Sequence, residues 1–500
     1  MRSTFFGLEI GRRGLQAQQR ALDVTGHNVT NANTPGFTRQ EAVLVTTTPF
    51  PVPSLNRPWG AGQVGTGVEI AEIRRLRDAF LDLQVRHENR ALGYWEARRD
   101  ALQKVEVIFN EPSDSGLRTV FEQFWQALED LSKNPESSAA RSVVRQRGIA
   151  LAETFNHMDR QLRELQEDLD GALKVKVSEI NSLGRQIADL NQQILKIEVT
   201  GARANDLRDK RDVLLDQMAK LINFQAHEDE KGLVNINIGG RPLVQGEQFY
   251  GFKTREDPAN EGLTVVCWET DGEPVQIEAG VMRGLIEMRG YVENGEQKGF
   301  VREMRKKLDA LAATLVEKFN NGFDVGSDHY NGHRDGYGLD GTTENVFFSG
   351  NSAATIEVVI ADLNKIAAAT TWDGDGDGEW DEDGEPGDGS NALKLAQLKQ
   401  QLIMKMSEDA EPTATFEDYL RAAIGQLGVE AQEADRMVEN QELLVAQLEN
   451  NRQAVSGVSL DEEMVNMIRF QHAYNAAARV ITAMDEMLDL IISRMGLVGR

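Results

Sequence analysis

A chain of 500 residues exceeds what one hydrophobic core sustains, so about three structural units are expected. Aromatic residues make up only 6%, which favours extended helix packing over a deep interior, and 80 acidic against 54 basic residues leave a net charge of -26. That sign excludes nucleic acid and an anionic membrane as partners, because either needs a concentrated basic surface. The single cysteine, Cys267, excludes an intrachain disulfide. No apolar run reaches the ~20 residues of a membrane span, and residues 1–15 lack a signal-peptide run, leaving the cytosol or export without a cleaved signal.

In chain order, Leu8, Leu15, Leu22 and Val29 recur every seven residues and place one narrow apolar stripe on a helix beginning near Thr4. It ends at Asn31-Ala32-Asn33-Thr34-Pro35-Gly36, where Pro35 removes a backbone donor and Gly36 supplies a permissive turn position. Residues 49–67 are rich in Pro and Gly and read as loop or short edge strands. Helical spacing returns at Leu76, Phe80, Leu83 and His87 and runs through Leu102, Val105 and Phe109; a second helix carries Leu117, Phe121, Phe124, Leu128 and Leu131. From Ala139 to Val199 apolar residues march at spacings of 3 and 4, which predicts a helix of about 60 residues, roughly 90 Å long, suited to a rod or bundle.

The period then changes. Leu233-Val234-Asn235-Ile236-Asn237-Ile238 alternates, and with Thr264-Val265-Val266-Cys267-Trp268 it predicts a small β-rich unit. Helix resumes with Phe300, Met304, Leu308, Leu311, Leu315 and Phe319; residues 322–350 read as loop, and Ile356 to Ile360 as one further strand. Phe416, Leu420, Leu427, Ala434, Met437, Leu444 and Leu448 form another stripe. After Ser456-Gly457-Val458, Ser459 and Glu462 have the spacing of a capping box. The last helix carries Leu460, Met464, Met467, Tyr474, Ala478, Ile481, Leu488, Ile492 and Met495. Its stripe is as narrow as that of the first helix, so each chain end lacks cover that the other can supply.

Motifs for chemistry are sparse. His329 and His333 stand four apart but flank Tyr330-Asn331-Gly332, where a helix is disfavoured, and neither His87 nor His227 completes a zinc-protease pattern. Asp373, Asp375 and Asp377 match the first half of a calcium loop, but the twelfth position is Gly384 instead of a bidentate Glu. Calcium there and a solvated acidic loop over residues 372–389 are the alternatives. No Gly-rich segment joins a strand to a helix as phosphate binding requires. The composition therefore describes a non-catalytic assembly protein with no required cofactor.

Residues 22–39, LDVTGHNVTNANTPGFTR, resemble the N-terminal signature of the bacterial flagellar axial family of rod, hook and hook-associated proteins, with Asn28, Asn31, Asn33, Thr34, Gly36, Phe37 and Arg39 at the motif positions. Residues 454–479 resemble the C-terminal segment of its hook-associated branch through Ser456, Gly457, Val458, Leu460, Asp461, Glu462, Glu463, Gln471, Tyr474 and Ala478. Residues 205–212 and 387–392 match more weakly. The resemblance implies a mainly α fold with a smaller β domain: a terminal helical assembly domain (1–45 with 456–500), a long-helix bundle (46–222 with 290–324 and 390–455) and an inserted outer β-rich domain (223–289 with part of 325–389). It implies a structural subunit at the junction of hook and filament, with hook protein or a distal rod protein as the alternative. The implied partners are copies of itself, hook protein, the neighbouring hook-associated protein leading to flagellin, and a cytoplasmic export chaperone. The expected assembly interface combines Leu8, Leu15, Leu22, Val29 and the motif residues with Val458, Leu460, Glu462, Glu463, Met467, Tyr474, Ile481, Leu488 and Ile492.

Overall fold

The computed structural model describes residues 5–50, 63–110, 116–325, 328–370, 387–406 and 411–494. The acidic loop with Asp373, Asp375 and Asp377 lies outside them. Helix α1 (Phe6–Asn31) leads into an antiparallel hairpin, β1 (Gln40–Thr46) and β2 (Val68–Arg75), with a bulge at Val43/Leu44. Helix α2 (Ala79–Phe109) starts where the Asp78 side chain accepts from Phe80 N–H and stops at Asn110, in the left-handed region at φ 44°. Helix α3 (Leu117–Lys133) precedes α4 (Ser138–Glu198), 61 residues long and capped by Ser137, and α5 (Asn205–Leu221) returns along it.

The strands follow: β3 (Gln225–Glu228), β4 (Val234–Ile238), β5 (Arg241–Gln245) and β6 (Gln248–Phe249) form a four-stranded sheet in that order, and β7 (Phe252–Glu256) pairs with β8 (Thr264–Trp268). Helix α6 (Val281–Arg289), the β9 (Tyr291–Glu293)/β10 (Glu296–Lys298) hairpin and α7 (Phe300–Asn321) return to the bundle. Short pairs β11 (Phe323–Val325)/β12 (Asp328–Tyr330) and β13 (Phe348–Ser349)/β14 (Glu357–Val358), then α8 (Ser390–Gln397), close its far end. Helix α9 (Phe416–Ser456) runs back, and α10 (Leu460–Arg494) completes the chain.

Burial explains why α4 is so long. Its N-terminal half, through Leu169, packs with α2, α3, α7 and α9 in one core; its C-terminal half, from Leu173 to Ala188, packs with Leu215 and Met218 of α5 and with Ile236, Val244 and Trp268 of the strands in another. The β-rich region thus shares its core with the C-terminal half of α4 and with α5. Helix α6, assigned from sequence to the β domain, straddles the two cores, with Leu285 and Met288 in the helical one and Met282 in the one beneath the strands. The expected stripe at the start of α2 also fails: Phe80 is 65% and Leu83 59% exposed, because the buried face there is set by Asp82 and Val85. On α9 the buried stripe is Phe416, Leu420, Ala423, Leu427, Ala431, Ala434, Val438 and Gln441, and Leu444 lies outside it.

His333 is fully buried and holds two backbone segments together: Ala367 N–H donates to Nε2 at 3.0 Å while Nδ1 donates to the Asn345 carbonyl at 2.7 Å. Desolvation lowers its pKa to about 4, so the ring is neutral and both nitrogens are committed to the backbone. This is a core histidine, and among the described residues no group of three His, Cys, Asp or Glu side chains is arranged to hold a metal.

Candidate assembly site

The two chain ends meet. Helix α10 lies along α1, and the contact is made by small residues: a Cβ at Gly11 would come within 2.7 Å of Ile481 Cγ1, Gly7 faces Met484, and Gly14 faces Ala477 at 3.5 Å. Ala17, Ala21, Thr25 and Asn28 continue this row as the buried face of α1. Leu8, Leu15, Leu22 and Val29, expected to form the seam, flank it and are half-buried. Close approach decides the outcome, since helices meeting over glycine and alanine bring their backbones nearer than a leucine ridge allows. On α10 the covered positions are Met467, Tyr474, Ile481, Met484 and Leu488, at helical spacing. Leu460 and Ile492, expected in the interface, are 50% and 77% exposed, and Met464, Val465, Ile468, Val480, Met487, Leu490 and Ile491 are exposed as well.

At the base of the seam a polar knot ties the N-terminal motif to the start of α10. Asn28 Nδ2 donates to the Gln40 carbonyl (2.8 Å) and to Glu463 Oε2 (3.2 Å), and its Oδ1 accepts from Gln40 N–H (3.0 Å). Arg39 Nε donates to Glu463 Oε1 (2.8 Å) and its Nη1 to Glu462 Oε2 (2.6 Å), while Arg39 N–H donates to Ser456 O (2.9 Å). Burial would depress Arg39, but the hydrogen bonds and charges of Glu462 and Glu463 outweigh it and raise its pKa. Half of the expected capping box forms: Glu462 N–H donates to Ser459 Oγ at 3.4 Å, but the Glu462 carboxylate turns to Arg39 instead of back to Ser459.

The turn after α1 docks on α5. Gly36 has φ +76° and sits so close to Val213 that a Cβ would overlap its Cγ2, which requires glycine for both conformation and space. Phe37 packs edge-on against His27 at 5.3 Å, and His27 Nε2 lies 3.2 Å from Asp206 Oδ1. Asn31 Nδ2 donates to the His27 carbonyl (3.0 Å) and its Oδ1 accepts from Thr34 Oγ1 (3.2 Å); Asn33 is exposed at the tip, and Val458 is half-buried in the link between α9 and α10. Thr38 N–H donates to Asp209 Oδ2 at 2.9 Å, and Gln40 Nε2 to Asp206 Oδ1 at 2.8 Å.

Periodicity of apolar residues overlooked the Gly7/Gly11/Gly14 row, because glycine carries no hydrophobic signal; its spacing of 4 and 3 was the visible clue. It also overlooked why residues 205–212 matter, since the carboxylates of α5 acquire partners only after the hairpin folds onto them.

What the arrangement offers is one paired helix face and a row of exposed apolar side chains on α10. Residues 102–348 match the family model described as the flagellar hook-associated protein FlgK helical domain, residues 450–494 the flagellar basal body rod FlgEFG protein C-terminal model, and residues 8–38 the flagella basal body rod protein model. The chain is 38% identical over 522 residues to flagellar hook-associated protein 1 of Bacillus subtilis (strain 168), with all of both chains covered. It is 26% identical to flagellar hook-associated protein 1 of Escherichia coli (strain K12), over 96% of this chain and 98% of that one. The solved flagellar hook junction protein FlgK from Burkholderia pseudomallei is similar in fold, with a TM-score of 0.62 over 75% of this chain and 100% of that chain at 14% identity.

Proposed function

We propose that this chain, which belongs to the flagellar hook-associated protein 1 family, is a structural subunit of the bacterial flagellum that stands at the junction of hook and filament and assembles through its paired terminal helices. The observation that carries this reading is the outer face of α10, where Leu460, Met464, Val465, Ile468, Val480, Met487, Leu490 and Ile491 stand exposed on a helix whose other face is already paired with α1. A run of large apolar side chains on one long helix is a surface that seeks a neighbour.

The partners that fit are copies of this chain, hook protein on one side, the next hook-associated protein on the other, and an export chaperone in the cytoplasm. No described helix is long and apolar enough to cross a membrane, and export without a cleaved signal accords with a chain that has no disulfide to impede unfolding. The protein acts by binding, without catalysis and without a resident cofactor. In a strain deleted for its own junction protein, this chain is expected to restore filaments; hooks that stay bare, with filament protein released into the medium, would refute the assignment.

A further inference from the structure

The stripe at the start of α2 is periodic, yet the described residues leave it open. Phe80, Leu83, His87 and Arg90 follow at spacings of 3, 4 and 3 and share one face of the helix; Phe80, Leu83 and His87 are exposed and Arg90 is half-buried. Helix α9 runs antiparallel beside α2, with Glu430 against Arg98, Gln441 Nε2 donating to the Glu88 carbonyl at 3.3 Å and Arg452 3.6 Å from Asp82. That register sets exposed Leu444 between the levels of Asp82 and Glu88. Arg90 has no carboxylate or hydrogen-bond partner among the described residues, and burial alone lowers its pKa. Withdrawing a guanidinium from water without an anion costs free energy, so a partner that completes this face brings an apolar surface and a carboxylate together.

The first turns of α10 carry that combination. Leu460, Met464, Val465 and Ile468 stand exposed around Asp461 on one side of the helix, and Asp461 has no ion-pair or hydrogen-bond partner among the described residues. Both segments start at one level of the molecule, because Leu76 N–H, just before α2, donates to the Arg39 carbonyl at 2.8 Å and Arg39 N–H donates to the carbonyl of Ser456, just before α10, at 2.9 Å. Within one chain both faces stay exposed, so they do not cover each other. Resting on the role in assembly proposed above, we infer that the Phe80 face of α2 on one copy receives the first turns of α10 of the next copy, with the neighbour's Asp461 beside Arg90. The contact is head-to-tail. Two α2 faces meeting each other would bring arginines together with no carboxylate between them, whereas a face that meets a different surface of the next copy propagates from subunit to subunit around an axis. A stable interface takes roughly 20–30 residues a side, and these stripes are far smaller, so the seat fills only where other contacts already hold the copies side by side.

Two measurements test the contact. In cells, Arg90→Glu and Asp461→Lys should each lower the number of attached filaments at least tenfold, while the double variant should recover most of the loss, because exchanging the two charges rebuilds the pair. On isolated flagella, Leu83→Cys combined with Met464→Cys should be joined by a short bismaleimide into species of two and more copies of this chain; either cysteine alone should give none, since Cys267 is buried. Helix content and melting of the purified variants should match the wild type, as none of the four positions belongs to the buried core. The cysteine pair changes no charge, so its result stands even where a charge variant fails to fold or to be exported. Charge variants with normal filaments, a double variant no better than either single one, or no cross-linked species on flagella whose filaments are normal, overturns the inference and leaves the junction assignment in place. A wild-type chain that restores no filaments refutes the junction assignment, and the inference falls with it.

Discussion

Replacing Gly36 by Ala tests how the N-terminal motif is anchored. Its backbone lies at φ +76°, where an L-residue costs about 1–2 kcal/mol. The added methyl also overlaps Val213 Cγ2 on α5, and overpacking of that kind costs about 1–3 kcal/mol. The sum, about 2–5 kcal/mol, falls on the docking of the turn and not on the distant helical core. It should appear as faster hydrogen exchange at Thr38, whose N–H is held by Asp209, and at Gln40, whose N–H is held by Asn28. At tenfold per 1.4 kcal/mol, protection there should fall by at least ~30-fold, while amides in the buried middle of α4 keep theirs. The double variant Gly36→Ala, Val213→Ala removes the overlap but not the strained φ, so it should recover the packing part alone and remain about 1–2 kcal/mol below a Val213→Ala reference. Gly36→Ala with wild-type exchange at Thr38 and Gln40, or a double variant no better than the single one, would refute this account of the turn.

Asn28→Ala leaves the buried N–H and C=O of Gln40 and one oxygen of Glu463 without their partner and should cost about 2–4 kcal/mol locally, read as loss of filament attachment with an unchanged melting of the body. Because the folded-state pKa of His333 is depressed from 6.5 to about 4, its contribution is fully present above pH 6.5 and is lost as pH falls towards 4; about 3 kcal/mol should disappear over that window, seen as faster exchange at Ala367, and His333→Gln should flatten the dependence. Leu22→Asp and Ile481→Asp should fold, because both sites are only half-buried, yet release filament protein into the medium from cells bearing hooks; normal filaments would show that neither site is covered in the assembly. Millimolar calcium should leave the melting temperature unchanged for the wild type and for Asp375→Ala, Asp377→Ala alike, and a rise confined to the wild type would assign the ion to the acidic loop.

Much of the helical scaffold was legible in the sequence because it rests on local chemistry. The 3–4 spacing from Phe155 to Ile194 specifies one long helix whatever packs against it, and its observed bounds, Ser138–Glu198, lie within one residue of those the periodicity predicts. The alternation of Val234 to Ile238 likewise dictates a strand with one buried face, and the Pro35-Gly36 turn could only end a helix. The end motifs identified the family, because recognition needs only the order of residues.

Contacts between elements distant in sequence were decided by the tertiary structure. Heptad spacing singled out Leu8, Leu15, Leu22 and Val29, yet the closest approach to α10 runs along Gly7, Gly11 and Gly14, since van der Waals proximity rewards absent side chains that a hydrophobicity pattern does not register. Phe80 and Leu83 read as core but lie outside, because α2 turns Asp82 inward to meet Arg77, and the α5 carboxylates gain their partners only when β2, α2 and α9 bring arginines to them. The reason is common to these cases: a side chain's period fixes which neighbours on its own helix share its face, but the energy of that face depends on what is brought against it from more than a hundred residues away, as Arg75 is to Asp209.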